Sequence, residues 1–277
     1  MIDDIHKTFI AGRLPFGDLK WVPKGLAPDT GIVRDPGLGT IGSGIHFVEI
    51  QEVSSIVNQQ LAYDMGLKQG YLTFMIHSGS RHVGKHVGGL WKRKVMDAWP
   101  KGVKYPANRI FSLVDPALMK DYLSAQATAA NYGAVNRIVL AELMRIAINE
   151  IVGITPMPLV YDLSHNIAVS AGDRRWITRK GACPAEKDMP VIIPGSMGTA
   201  SYVAVGKGSD THLCTASHGA GRAHSRTKMR HEKDLGLEGV DCITISEERR
   251  IEEAPNAYKD IDTVVNAQVE AGVIDIV

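Results

Sequence analysis

Four histidines stand at the ends of apolar runs or inside glycine-rich turns, where a rigid backbone positions a side chain that stays accessible. They are His46 in GSGIHFVE, His77 in MIHSGSR, His165 in DLSHNIA and His218 in SHGAGR. Neutral imidazole is the commonest protein ligand of Zn, Mn and Fe ions, and it also serves as a nucleophile. The sequence has no HExxH, CxxC or CxxH spacing. These histidines predict a metal or catalytic site where strand ends converge; the alternative for each is a buried histidine with a structural role.

Two turns dense in glycine and hydroxyl residues have the composition of phosphate-binding loops, PGSMGTAS at 194–201 and SHGAGR at 217–222. Glycine lets backbone N–H groups approach an anion closely. Neither turn matches GxxxxGK[ST] or GxGxxG, and by composition alone either can be purely structural. His218 favours function for the second turn, because an imidazole nitrogen attacks phosphorus and the cations Arg222 and Arg226 follow it. The basic stretch at 222–233 predicts either a nucleic-acid contact or a solvated helix face.

Short strands and one long helix are predicted to hold these side chains. Apolar periodicity predicts strands at residues 46–53, 71–77, 158–163, 175–181, 190–195, 201–206 and 212–217. It predicts a long helix from Leu118 to about Ile151 stopped by Gly153, a helix at 86–99 and a helical tail from Tyr258 to Val277. Residues 1–44 are predicted to be irregular. We expect an α+β fold: a single sheet-centred domain over residues 1–277 with a helical insertion at about 86–152.

The composition is that of an ordinary globular protein. The 277 residues are 44% hydrophobic and carry 31 basic and 30 acidic side chains, so any basic partner surface must be local. Three cysteines are too few for a disulfide framework. No apolar run is long enough to cross a bilayer and the N-terminus lacks a signal-peptide core, so a reduced, cytoplasmic protein with no membrane partner is expected.

Seven motifs in order along the chain resemble the RtcB family of GTP-dependent RNA ligases. They are LGTIGSGIHFVEIQ (38–51), MIHSGSR (75–81), SHN (164–166), TRKGA (178–182), IPGSMGTASYV (193–203), SHGAGRAHSR (217–226) and EAPNAYKDID (253–262). The resemblance implies a sheet-centred fold with a Mn²⁺ cluster beneath a GTP pocket, with two ions in a complete member. It also implies an RNA ligase acting in tRNA splicing and RNA repair.

Position by position, the resemblance implies that His46, His77 and His165 bind manganese and that His218 is the nucleophile that becomes guanylylated. Glu49 matches the residue that reads guanine. The residues implied to line the GMP or GTP pocket are Ile45, His46, Phe47, Val48, Glu49, His165, Asn166, Pro194, Gly195, Ser196, Met197, Ser201, His218, Gly219, Ala220 and Gly221. Those implied to contact phosphate or RNA are Arg81, Lys180, Arg222 and Arg226.

The implied chemistry has three steps. His218 attacks the α-phosphate of GTP, the GMP passes to an RNA 3′-phosphate, and a 5′-hydroxyl then displaces GMP to seal the strand. The implied partners are RNAs, including tRNA halves, with a 3′-phosphate or 2′,3′-cyclic phosphate on one end and a 5′-hydroxyl on the other.

Three departures from the family pattern bear on activity. Nothing upstream of Gly42 resembles the family segment whose Asp and Cys complete the metal site, and the sequence stops at Val277 without the family's final Lys-Gly. Ile45 stands where the family usually has Asn. The alternatives to an active ligase are therefore an impaired nucleotide- or RNA-binding paralogue, a part of a split protein that needs a complementing N-terminal segment, and a metal-dependent phosphoesterase.

Overall fold

The strands are short and the helices range from one turn to ten. The computed structural model describes residues 17–23, 36–154, 156–173 and 175–277. The described strands are β1 (Phe47–Glu52), β2 (Leu72–His77), β3 (Asn166–Ser170), β4 (Trp176–Lys180), β5 (Ala182–Pro184), β6 (Pro190–Ile193), β7 (Tyr202–Gly206), β8 (Thr215–Ser217) and β9 (Ile274–Ile276). The described α-helices are α1 (Gln59–Asp64), α2 (Arg81–Asp97), α3 (Pro116–Val152), α4 (Arg226–Met229), α5 (Glu247–Glu252) and α6 (Ile261–Glu270).

The described strands form four small antiparallel sheets. Their strand orders are β1-β2, β3-β4, β5-β8 and β6-β7-β9. The α+β class is therefore confirmed, while the expected single central sheet is not. The paired strands are three to six residues long, and turns such as the one at Gly181 between β4 and β5 interrupt the hydrogen-bond ladders.

The chain divides into two compact units, one of residues 1–42 and 78–162 and one of residues 43–77 and 163–277. The second unit contains all nine strands of the described residues, with a core that includes Cys183, Val191, Ile193, Val265 and Ile274. The first unit contains α2 and α3, which fall largely within the segment expected as a helical insertion. The expectation of one domain over residues 1–277 stays a prediction.

The long helix α3 begins two residues before its predicted start at Leu118 and ends next to its predicted stop, Gly153. Asp115 caps its N-terminus by accepting hydrogen bonds from the N–H groups of Ala117 and Leu118 at 2.7 and 3.0 Å, with Pro116 in the first turn. Gly153, with φ of 86°, follows its last residue. The helix predicted at 86–99 begins earlier, at Arg81, and ends at Asp97.

Two of the predicted strands are wrong, one entirely and one in part. Residues 158–163 form no strand, because this segment bonds to α3 through side chains: Arg137 holds the Asp162 carboxylate, and Arg145 Nε donates to the Met157 carbonyl at 2.9 Å. In the stretch 212–217 only β8 is a strand, since Leu213 and Cys214 adopt positive φ.

The predicted helical tail ends early. Gly272, with φ of 68°, follows α6, and β9 then pairs with β7. Strands β3 and β5 were not expected. The predicted irregular residues at 1–16 and 24–35 lie outside the described residues. No helix in the described part of the chain has the length and apolar character to span a bilayer.

Candidate active site

The first pair of predicted histidines comes from the β1-β2 hairpin. His46 immediately precedes β1, and His77 ends β2 directly opposite Phe47 in the register. The centroids of the two imidazole rings are 5.7 Å apart, and the Phe47 ring packs edge-on against His77 at 5.5 Å. The antiparallel register therefore places both histidines at the same end of this sheet.

The second pair is aligned by the turn at Gly181. His165 immediately precedes β3 and His218 immediately follows β8. The His218 N–H donates to the Gly181 carbonyl at 3.2 Å, and the Ala182 N–H donates to the His165 carbonyl at 3.3 Å. Their imidazole rings stack with centroids 3.9 Å apart and planes inclined by 15°. One turn thus brings together histidines 53 positions apart in a sequence of 277 residues.

Three of these imidazoles form a group with the dimensions of a metal site. The ligand nitrogens of His77, His165 and His218 all lie within 4.8 Å of one another, and the Nε2 atoms of His77 and His165 are 3.3 Å apart. Two nitrogens that bind the same ion at about 2.1 Å lie roughly 3.0–3.4 Å apart at octahedral or tetrahedral angles. The residues present therefore fit a divalent transition metal. His46, expected as a ligand, lies beside His77 but is not a member of this group.

The tautomer of His218 follows from its hydrogen bond. Its Nδ1 lies 2.8 Å from the carbonyl oxygen of Ile192 in strand β6. A carbonyl only accepts, so Nδ1 carries the proton and, in the neutral ring, Nε2 keeps its lone pair. That lone pair can attack an electrophile or bind a metal ion.

A polar chain runs from β1 to the first glycine-rich turn. Gln51 Nε2 donates to Glu49 Oε2 at 2.7 Å and to Ser201 Oγ at 3.0 Å, and Ser201 Oγ accepts the Gly195 N–H at 3.0 Å. Burial raises the pKa of Glu49 above its ordinary value of 4.5, and the hydrogen bond from Gln51 opposes that rise. The carboxylate is half-buried, and its amide partner ties it to the turn.

The two predicted phosphate turns lie next to each other. A Cβ on Gly219, whose φ is 132°, would lie 3.5 Å from the Pro194 carbonyl oxygen. A Cβ on Gly195 would lie 2.2 Å from the Ala200 carbonyl oxygen, so only glycine fits there. The Ser196 N–H donates to Thr199 Oγ1 at 2.8 Å and closes the first turn.

The arginines beyond His218 are held by a carboxylate pair that was not foreseen. Arg222 Nη1 donates to Glu253 Oε2 at 2.8 Å, and Arg226 Nε donates to Glu253 Oε1 at 2.9 Å. The Arg222 guanidinium also lies 5.2 Å over the Tyr258 ring. Neighbouring Glu252 is fully buried, and the hydrogen bond from Arg230 is the chief cause that keeps its pKa below the ordinary value. These arginines therefore join two segments of the fold.

The other predicted residues divide between the two units. Asn166 is exposed on β3 opposite Lys180, and its Oδ1 accepts the Gly181 N–H at 3.0 Å. Arg81 belongs to the first unit, where its Nε donates to Thr40 Oγ1 at 2.7 Å. The remaining predicted residues lie on the backbone segments already described: Ile45, Val48, Met197, Ala220 and Gly221.

Gln51 and Glu253 are the polar contacts that sequence reasoning missed. Gln51 follows Glu49 by two positions, and that alternation places both side chains on one face of a strand. Glu253 belongs to the EAPNAYKDID motif, yet nothing in its residue type indicates that it is buried beside two arginines. The position of Gln51 beside Glu49 could therefore be read from the sequence, whereas the burial of Glu253 beside two arginines could not.

The fold and the site define an α+β protein with a histidine-rich centre beside two glycine-rich turns. The chain belongs to the RtcB family: the family model described as tRNA-splicing ligase RtcB matches residues 11–277. An RNA-splicing ligase RtcB from Mycobacterium tuberculosis is 36% identical over an alignment that covers 85% of this chain and 61% of the relative.

Two further relatives are similar to a comparable extent. A tRNA-splicing ligase RtcB from Pyrobaculum aerophilum is 35% identical over 85% of this chain and 56% of the relative, and one from Archaeoglobus fulgidus is 33% identical over 87% and 58%. The chain therefore spans about three fifths of the length of these curated relatives.

Proposed function

We propose that this chain carries the catalytic centre of an RNA ligase that joins RNA 3′-phosphate or 2′,3′-cyclic phosphate ends to 5′-hydroxyl ends through a guanylylated histidine. The observation that carries the proposal is the state of His218. Its Nδ1 is fixed on the Ile192 carbonyl and its ring is stacked on His165, so Nε2 is its nucleophilic atom. Membership of the RtcB family supports the same assignment.

In the first step His218 Nε2 attacks the α-phosphorus of GTP. A P–N bond forms, the bond to the bridging oxygen breaks, and pyrophosphate leaves with that electron pair. The Nδ1 proton stays on the ring, where the Ile192 carbonyl stabilises the positive charge that develops.

The later steps transfer and release GMP. An oxygen of the RNA 3′-phosphate attacks the guanylate phosphorus and the P–N bond breaks. The 5′-hydroxyl oxygen then attacks the activated 3′-phosphorus, loses its proton and expels GMP. A 2′,3′-cyclic end is opened by water before these steps.

The proposed metal is Mn²⁺, held by His77 and His165 with His46 beside them. A bound divalent cation would neutralise charge on the phosphates and on the departing pyrophosphate. Three imidazoles alone suit Mn²⁺ less well than a set containing carboxylate oxygen. We therefore include in the proposal a complementing N-terminal segment that supplies further ligands and room for a second ion.

GTP recognition is assigned to Glu49 and the two turns. A carboxylate can accept both N1–H and N2–H of guanine, and Gln51 orients that carboxylate. The backbone N–H groups of the turns at 194–197 and 218–221 are proposed to hold the phosphates. Ile45 provides no hydrogen bond where the family usually has Asn, so we expect weaker nucleotide binding than in a relative with Asn.

The remaining assignments follow from the proposed reaction. The proposed RNA substrates include tRNA halves, and the reaction is assigned to the cytoplasm. The residues proposed to contact phosphates are Asn166, Lys180, Arg81, Arg222 and Arg226. A sheet-centred catalytic domain with a helical insertion at about 86–152 is proposed as the functional unit.

The test is covalent labelling with α-labelled GTP and Mn²⁺ in the absence of RNA. We expect an adduct that acid destroys and alkali preserves, that is lost in His218→Ala, and that is retained in His231→Ala, which removes an exposed histidine. Labelling of His218→Ala at the wild-type level would refute the proposal. Thermal unfolding with increasing Mn²⁺ tests the metal site separately, since His165→Ala should lose most of the stabilisation that the ion gives.

The second candidate function is a metal-dependent phosphoesterase, favoured by the membership of His218 in the three-imidazole group. In that case all three histidines would hold the ion and water would be the nucleophile. Release of phosphate from an RNA 3′-phosphate without a labelled protein would support this function over ligation.

A further inference from the structure

The basic residues of the first unit are concentrated in one segment. Residues 85–109 contain seven Lys or Arg side chains and one Asp, whereas the whole chain has 31 basic and 30 acidic residues. This segment comprises most of α2 and the loop that follows it. The charge is local, as expected for a surface that meets a polyanion.

Helix α2 has a buried face and a cationic face. Val83, Val87 and Trp91 are buried, and the Trp91 ring packs against Trp21 with centroids 5.7 Å apart. At about 100° per residue, Lys85 and Lys92 project from the opposite side. Arg93 is the neighbour of Lys92, and the side chains of Lys85, Lys92 and Arg93 are all exposed.

No ion pair within the described residues involves Lys85, Lys92 or Arg93. The first turn of α2 also contains no acidic residue. Cations near a helix N-terminus oppose the helix dipole, so Lys85 is not placed there for the stability of the helix. These charges are available to an external partner.

Two glycines interrupt this cationic face. Gly88 and Gly89 lie in the middle of α2, where each costs about 1 kcal/mol relative to alanine. A Cβ on Gly88 would meet nothing within 4 Å, and one on Gly89 would approach only Arg93 Nη1, at 3.9 Å. Packing inside the unit therefore does not require either glycine. Their absent side chains leave bare backbone between cations, where an extended anion can approach closely.

The loop after α2 adds aromatic surface to the charge. Lys101 and Lys104 are exposed, and Tyr105 is 38% exposed with the Arg109 guanidinium 5.4 Å from its ring centroid. Single-stranded nucleic acids bind where cations follow the backbone and aromatic rings stack on bases. Interleaved lysines and aromatic rings suit RNA better than they suit an acidic peptide, which has no bases to stack.

We propose that the exposed face of α2, together with residues 101–109, is an RNA-binding surface that holds the phosphodiester backbone of the substrate. This inference rests on the proposed function for its choice of RNA as the polyanion. Lys85, Lys92 and Arg93 contact phosphates, Gly88 and Gly89 permit close approach, and Tyr105 stacks on an unpaired base.

The test compares two double variants of the whole chain that each remove two exposed lysines. Binding of a fluorescent, unstructured single-stranded RNA is followed by anisotropy over a range of salt concentrations. Lys85→Ala with Lys92→Ala should weaken binding about tenfold and reduce the slope of log affinity against log salt by about 1.4. Lys68→Ala with Lys187→Ala, in the other unit, should change neither quantity. Equal effects of the two variants, or no effect of the first, would overturn the proposal.

Three further measurements separate the surface from the catalytic centre and from general charge. Labelling by GTP without RNA should be unchanged in Lys85→Ala/Lys92→Ala. If the wild-type protein itself is not labelled, that result counts against the proposed function and not against this surface. Gly89→Ala should raise the melting temperature and weaken RNA binding, whereas unchanged affinity would contradict close approach. Competition by poly-glutamate as effective as that by RNA would show a preference for acidic peptide and refute the assignment.

Discussion

The imidazole rings of His165 and His218 lie face to face, 3.9 Å apart, although the strands next to them, β3 and β8, belong to different sheets. Backbone hydrogen bonds on either side of one peptide unit, at Gly181 and Ala182, hold them there. The position of the nucleophile proposed for guanylylation therefore depends on the backbone of a turn whose residues, Gly181 and Ala182, have no reactive side chain.

Gly181 is the residue at which this dependence can be tested. Its φ is 62°, and a Cβ there would meet nothing within 4 Å, so Gly181→Ala strains the backbone by about 1 kcal/mol without a clash. Gly70→Ala is a matched control, since its φ is 80° and its surroundings are equally open. Both variants should lose similar stability in denaturant unfolding, but only Gly181→Ala should slow GTP labelling, by about tenfold. Equal labelling of the two variants would mean that the turn does not position His218.

Gln51 links the Glu49 carboxylate, which is proposed to read guanine, to the glycine-rich turn at 194–201. The loss of Gln51 should therefore affect nucleotide binding more than turnover. Gln51→Ala removes the donor to Glu49 and Ser201, and hydrogen bonds to charged groups contribute about 1.5–3 kcal/mol. We expect the KM for GTP to rise about tenfold or more with little change in kcat, and preference for GTP over ITP to fall. Gln60→Ala removes a similar amide–carboxylate bond in α1 and should leave both constants unchanged. A fall in kcat alone would contradict this role.

The histidine centre was predictable from residue type and local context, because strand ends and glycine-rich turns can be recognised in the sequence. The long helix was predicted as well, from its apolar periodicity and the stop at Gly153, although its first two residues, Pro116 and Ala117, were missed. The pairing of β9 with β7 was not, because a three-residue strand has no periodicity and its partner lies about 70 positions away. Similarly, the grouping of His218 with His77 and His165 depends on ring positions, which no motif encodes.

Glu49 should make stability depend on pH. Burial raises its pKa in the folded protein, so the folded state binds this proton more tightly than the unfolded chain. The stabilisation relative to the ionised state is present in acid and is lost as the pH rises through the raised pKa. Glu49→Gln, which stays neutral, should therefore gain stability relative to wild type as pH rises from 4 to 7, and it should lose GTP labelling at every pH.

The check is the free energy of unfolding of both proteins across that pH range. Glu52→Gln removes a carboxylate from an exposed position of the same strand and controls for the change in net charge. A difference between Glu49→Gln and wild type that shrinks with rising pH would show that the carboxylate is stabilised on folding, contrary to this reasoning.

Glu253 is the residue on which the glycine turn after His218 is anchored. It contacts Arg222, Arg226 and the Tyr258 hydroxyl, and burial together with this contact raises the pKa of Tyr258. The adjoining backbone is bonded as well, since the Lys259 N–H donates to the Gly221 carbonyl at 3.0 Å. Glu253→Gln leaves two cations beside a neutral amide, so we expect a loss of about 2 kcal/mol in the free energy of unfolding.

Glu247→Gln breaks an exposed pair with Arg250 and should cost less than about 0.5 kcal/mol, which makes it the matched control in the same urea titration. Because the carboxylate holds Arg222 in place, Glu253→Gln should also slow GTP labelling, while Glu247→Gln should not. Similar stabilities of the two variants would show that the Glu253 network adds nothing to the fold. Slower labelling without lost stability would instead mean that Glu253 acts on the position of Arg222 alone.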